Sequence, residues 1–118
     1  MKHNFKKLTI WQERIELVLE TYKTTKTFPS EEKFGLSSQL NRCSVSIPSN
    51  IAEGTSKSSE KHFNNYLETA LGSSFEWETQ IIIAFKIGYI AENKFKELEN
   101  KINRIQNMIH NFMQKLSN

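Results

Sequence analysis

The sequence predicts an all-α protein, an antiparallel up-down-up-down four-helix bundle. Three observations predict it. Apolar residues recur every three or four positions through four separate stretches, which is the spacing of one helix face. Breakers are scarce: four glycines and two prolines in 118 residues are too few for the many tight turns of an all-β chain. Only a few residues join the stretches, so consecutive helices must run antiparallel. A chain of this length reads as one domain, residues 1–118. It can bury roughly two-thirds of its unfolded surface, enough for a core without metal or disulfide staples.

The first helix is expected from about Leu8 to Lys26, with Leu8, Trp11, Ile15, Val18 and Tyr22 as its apolar stripe. Phe28-Pro29 ends it, because the residue before a proline is pushed out of the helical region. Ser30 reads as the N-cap of the second helix, and Glu31 and Glu32 suit the positive end of its dipole. That helix continues through Leu36, Leu40, Cys43, Ile47 and Ile51. Pro48 removes one hydrogen bond, to the carbonyl of Ser44, and is expected to bend the helix. Gly54 is the expected stop. Ser58 or Ser59 caps the third helix, whose stripe is Phe63, Leu67, Ala70, Ser74, Trp77, Ile81 and Ala84, ending at Gly88. The fourth helix has the clearest heptads: Phe95, Leu98, Ile102, Ile105, Ile109, Phe112 and Leu116.

The third helix carries more apolar surface than one face can bury. Five consecutive residues cover a helix's circumference, and Ile81 through Phe85 are apolar at all five. Either this is a central helix with neighbours on several sides, or its C-terminal half is an oligomer interface. The second reading is the expectation, with Trp77, Ile82 and Phe85 as interface residues.

The net charge of +3 is carried by a short basic arm, residues 1–7. Residues 8–118 hold 13 basic and 13 acidic side chains, so the body is neutral, and every acid is Glu. The one cysteine, Cys43, excludes an intrachain disulfide framework and suits a reducing compartment. No signal-peptide pattern is visible and the longest apolar run is far too short to span a bilayer. The expected location is the cytoplasm, with no membrane partner. No catalytic residues, metal or cofactor are expected. His3, His62 and His110 are scattered, there is no Glu-x-x-His pair, and no Gly-rich phosphate loop occurs. Cys43 lies on an apolar stripe and reads as an inert buried thiol.

One stretch of the second helix is distinctive: Gly35-Leu36, Gln39-Leu40, Arg42, Ser46-Ile47-Pro48 and Asn50-Ile51-Ala52-Glu53-Gly54. It resembles the bacterial four-helix-bundle family of 23S rRNA intervening-sequence proteins. Leu8-Thr9-Ile10-Trp11-Gln12 looks like that family's opening helix. The block from Ala70 to Gln80 and the turn Ile87-Gly88-Tyr89-Ile90 match in order. Leu71 departs from a commonly basic position, and Ala91 stands where a Ser or Asp cap is usual. The resemblance implies four antiparallel helices and a ring-like homo-oligomer, commonly a pentamer. A similar protein is the accessory variability determinant of diversity-generating retroelements, which binds a reverse transcriptase and nucleic acid.

Arg42, Asn50, Glu53 and Glu76 are the notable polar residues. They are expected to form a buried or half-buried structural network, with Arg42 paired to Glu76 or Glu53 and Asn50 serving backbone groups loosened by Pro48. Gly72 reads as a close helix crossing. Nucleic-acid contacts fall to Lys2, Lys6 and Lys7 of the arm, and to Lys57 and Lys61 beside the start of the third helix, where free N–H groups also favour phosphate. The expected function is a non-enzymatic oligomeric binding or scaffold protein with weak, charge-driven affinity for RNA or DNA. The alternative is a protein-directed adaptor that docks a partner enzyme such as a reverse transcriptase.

Overall fold

The structure is a computed structural model that describes residues 4–117. Four helices make up the bundle: α1 (Thr9–Thr25), α2 (Leu36–Thr55), α3 (Glu60–Lys86) and α4 (Glu92–Ser117). Short 3-10 turns, Phe5–Lys7 and Ser30–Glu32, precede α1 and α2. The helices pack in sequential order, up and down, in a body of 45 × 24 × 20 Å. The α2–α3 seam is the most extensive and α1–α4 the thinnest.

The α3 and α4 stripes are as expected. Phe63, Leu67, Ala70, Ser74, Trp77, Ile81 and Ala84 are buried on α3; Leu98, Ile102, Ile105 and Ile109 are buried on α4. Phe95, Phe112 and Leu116 pack against that core from its edge. Ser59 caps α3, its hydroxyl accepting the His62 N–H at 3.2 Å. Gly88 ends the same helix at φ +90°, a conformation glycine adopts without strain. There the Gly88 N–H reaches the Phe85 carbonyl at 3.0 Å and the Tyr89 N–H the Ala84 carbonyl at 2.9 Å. These two bonds satisfy the last carbonyls of the helix.

Helix α1 buries a different face from the expected one. Ile10, Arg14, Leu17, Thr21 and Thr24 point inward, while Trp11, Ile15 and Val18 are half-buried and Tyr22 is exposed. Threonines are tolerated inside because their hydroxyls bond their own helix: Thr21 Oγ1 donates to the Leu17 carbonyl (2.7 Å) and Thr24 Oγ1 to that of Glu20 (2.9 Å).

Ser30 does not cap α2. It opens a 3-10 turn, and Gly35, outside helical geometry at φ −111° and ψ −117°, separates that turn from the helix. Glu32 supplies the cap: its Oε1 accepts the Leu36 N–H at 3.1 Å, and its Oε2 accepts the Tyr89 hydroxyl at 2.8 Å. The start of α2 is thereby tied to the α3–α4 turn. At its far end α2 continues past Gly54 to Thr55. A Cβ at Gly54 would stand 2.8 Å from Phe63 Cδ1 and 2.9 Å from Tyr66 Cβ. Gly54 therefore permits a close helix approach rather than a stop. Gly72 is the reverse case, an exposed helix position with nothing within 4 Å of such a Cβ.

Candidate functional site

Antiparallel packing brings lysines from the arm, the α2–α3 connection, the start of α3 and the end of α4 to one end of the bundle. The described part of the arm is folded. Asn4 Oδ1 accepts the Lys6 N–H at 3.2 Å, Gln12 Nε2 donates to the Lys6 carbonyl at 2.9 Å, and the Phe5 ring meets Trp11 edge-on at 5.2 Å. This turn touches α2 as well as α1. Lys6 and Lys7 are thus held, exposed, beside the α2–α3 connection that carries Lys57 and Lys61. Asn64 reaches Ser117 at 3.4 Å, placing the last turn of α4, with Lys115, at the same end. Lys61 is exposed; Lys57 is half-buried with its Nζ 4.9 Å from the Tyr66 ring centroid. Glu53 and Glu60 also lie near this end, so the basic surface is interrupted. Lys2 lies outside the described residues.

Cations on the α4 side are differently occupied. Glu20 receives Lys94 and, at 3.5 Å, Lys101; Glu97 takes Lys94 at 3.6 Å and Lys101 at 3.4 Å; Arg104 meets Glu13 at 3.2 Å. The hydrogen bond from Lys94 is the main cause holding the Glu20 carboxyl below its ordinary value. These pairs leave Lys94 and Lys101 less available to phosphate than the lysines of the arm.

The expected polar network does not form. Arg42, Glu53 and Glu76 are exposed, and Arg42 has no ion pair among the described residues. Asn50 donates to the Ser46 carbonyl (2.8 Å) and Ser46 Oγ (3.1 Å) one turn back, rather than to the Ser44 carbonyl that Pro48 leaves without its helical donor. The reason is helical phase: Arg42 and Glu76 sit beside the buried stripes of α2 and α3 but on their outer flanks.

The buried polar groups are ones the stripes concealed. Arg14 is 0% exposed, its guanidinium donating to the Ile10 carbonyl and, at 3.8 Å, to Met108 Sδ. Burial pulls its pKa down to about 10, so it stays cationic at neutral pH. Trp77 is also fully buried, its Nε1–H donating to Thr21 Oγ1 at 3.1 Å. That removes Trp77 from any interface. Phe85 is half-buried and stacks on Phe95 at 4.2 Å, and Ile82 is half-buried. The large apolar residues that α3 does expose are Phe75 and Ile83, with Ile87 exposed just past its end. The inward spacing of Ile10, Arg14, Leu17 and Thr21 was legible only to a reading that admits an arginine to a core stripe.

Cys43 is not prepared as a nucleophile. The Cys43 thiol is buried, donates to the Ser73 carbonyl at 3.0 Å, and is pushed up to about 12, mainly by burial and further by the Glu76 carboxylate. A thiol so protonated is inert. No group of three or more metal-ligating side chains occurs among the described residues, and no described helix is long and apolar enough to cross a membrane.

The sequence profile described as "23S rRNA-intervening sequence protein" matches residues 6–111. The chain belongs to that family. The 23S rRNA-intervening sequence proteins thus account for the helix-two motif and for the order of the four helices. A crystal structure from Bacteroides thetaiotaomicron, described as a protein of unknown function from the S23 ribosomal protein family, is similar to this chain. The TM-score is 0.82 at 24% identity, over 89% of this chain and 95% of that one, a likeness of fold. No curated protein matches. At the two departures from the family pattern, Leu71 packs at the core's edge and Ala91 is exposed immediately before α4.

Proposed function

We propose that this 23S rRNA-intervening sequence protein is a non-catalytic, oligomeric scaffold that binds nucleic acid weakly through the basic end of its bundle. The observation that carries this reading is the convergence of Lys6, Lys7, Lys57 and Lys61 on one end, beside the N-terminal, positive end of the α3 dipole. Phosphate is the group such a surface complements. Lysine–phosphate contacts carry no sequence information, so binding is charge-driven and sensitive to salt. A homo-oligomer, which the family resemblance expects to be a ring of five, would multiply these weak sites through effective concentration.

The test is fluorescence anisotropy with structured RNA and with duplex DNA at two salt concentrations. Micromolar or tighter binding that falls steeply with salt, and is lost when the four lysines are changed to Gln, supports the reading. Absence of binding at low salt overturns it. Exposed apolar side chains on two outer faces favour a second reading, an adaptor that docks a partner protein such as a reverse transcriptase. Lysine neutralisation would leave that docking intact.

A further inference from the structure

The lysine end leaves two outward faces of the bundle unexplained, and they differ in charge. Where α1 and α2 run side by side, an open groove is lined by Tyr22, Lys33, Phe34, Arg42 and Val45, with Ser38 and Asn41 between them. Phe34 is 88% exposed, and Leu19, one turn from Tyr22, is 59% exposed. The charged groups lining this groove are both cations; no carboxylate lines it. The central part of the outer face of α3 has the opposite sign: residues 62–85 include no Lys or Arg, and the exposed Lys61 and Lys86 stand at its two ends. Phe75 and Ile83 are exposed there, with exposed Glu68 two turns before Phe75 and exposed Glu76 two turns before Ile83, on the same side of the helix. Gly72 lies between Glu68 and Glu76 with open space over it, which leaves room for another surface to approach closely.

We propose that these two faces bind one another between copies: the outer face of α3 in one protomer seats in the α1–α2 groove of the next, with Arg42 meeting Glu76. The inference rests on the oligomer reading above and names its surfaces. Charge complementarity selects a second copy as occupant. Each chain carries an exposed apolar face edged by cations and another edged by carboxylates, so the match is present in every pair of molecules. Among the described residues neither Arg42 nor Glu76 has an ion pair; Glu76 accepts a long bond from Gln80 at 3.4 Å and its carboxylate lies beside the Cys43 thiol. Both charges are therefore available to a neighbour. Because the two faces are different, the contact is head to tail, and repetition closes a ring or continues as a filament.

The test is sedimentation velocity and light scattering of the full chain over a range of concentrations. The variants are Arg42→Glu, Glu76→Arg and the double exchange, with Phe34→Ser as a fourth. All three positions are exposed, and circular dichroism checks that the helices persist. Each single charge reversal is expected to weaken association by about tenfold or more, since it sets like charges opposite one another. Phe34→Ser weakens it without a charge change, and the double exchange restores it. A wild-type chain that is monomeric at every concentration overturns the oligomer reading and this inference with it. An oligomeric wild type whose mass none of the variants changes overturns the assigned faces while the oligomer reading stands. Loss in both singles without rescue in the double overturns the Arg42–Glu76 pairing.

Discussion

Thr21 and Trp77 join α1 to α3 at the centre of the molecule by a hydrogen bond that no water reaches. Thr21 Oγ1 accepts the indole N–H and donates its own hydrogen bond to the Leu17 carbonyl. Both polar groups are satisfied, so their burial is tolerated. Trp77→Phe removes the donor and part of the ring, and is expected to lower stability by about 2 kcal/mol, measured as a shift in the urea midpoint. A change below a few tenths of a kcal/mol would contradict the role assigned to that bond. Charge at this scale sets the response to acid. Glu32 is held below the ordinary carboxylate value chiefly by the Leu36 N–H and then by Tyr89, and Glu20 chiefly by Lys94. A lowered folded-state pKa contributes stability present above the unfolded value and lost as pH falls through the folded one. Glu99 acts oppositely, raised mainly by burial and then by Glu78; it contributes below the unfolded value, and that contribution is lost as pH rises through its folded one. The urea midpoint is therefore expected to fall on acidification from about pH 5, and more gently in Glu32→Gln. An unchanged acid limb in that variant would contradict the cap.

At the scale of the element, two helix-interior glycines separate propensity from packing. Alanine is a better helix former than glycine by about 1 kcal/mol. At Gly72 a methyl group meets nothing, so Gly72→Ala is expected to gain roughly 0.5–1 kcal/mol. At Gly54 the same methyl would strike Phe63 and the Tyr66 Cβ, so Gly54→Ala is expected to cost about 1–3 kcal/mol. Equal effects in denaturant unfolding would contradict this distinction. Sequence reading inverted the pair, taking Gly72 as a close crossing and Gly54 as a stop, because packing between helices is not written in local propensity. It read Ser59, Gly88 and the α4 heptads well, since caps, a positive-φ turn and a continuous apolar stripe depend on residues close in sequence. Ser30 was misread because the cap function passed to Glu32, whose geometry is completed by Tyr89 from the far end of α3. On α1 the apolar residues form the half-buried flank, and Arg14 and three threonines occupy inward positions. Hydropathy alone favours the wrong face there.

For the whole molecule, the bundle leaves different kinds of surface unpaired. One end gathers lysines from the arm and from the α2–α3 connection; the long faces expose apolar side chains edged by opposite charges. The lysine positions were legible in the sequence as residue types in polar segments, and the fold supplies their proximity. The outward faces were only partly legible. The apolar surplus of α3 was visible, but Trp77 and Phe85 are engaged within the protomer, and Phe75 and Ile83 face out instead. The charge exchange between Arg42 and Glu76 tests assembly at this scale, and the lysine end tests function.

The most direct measurement of the central claim is the salt dependence of duplex-DNA binding, as the slope of log association constant against log salt. Each phosphate contact contributes roughly 0.9 to that slope. The account predicts a steep slope for the wild type that becomes markedly shallower when Lys6, Lys7, Lys57 and Lys61 are changed to Gln. Binding whose slope is unchanged by those four substitutions would contradict it, and would move the nucleic-acid surface away from the basic end of the bundle.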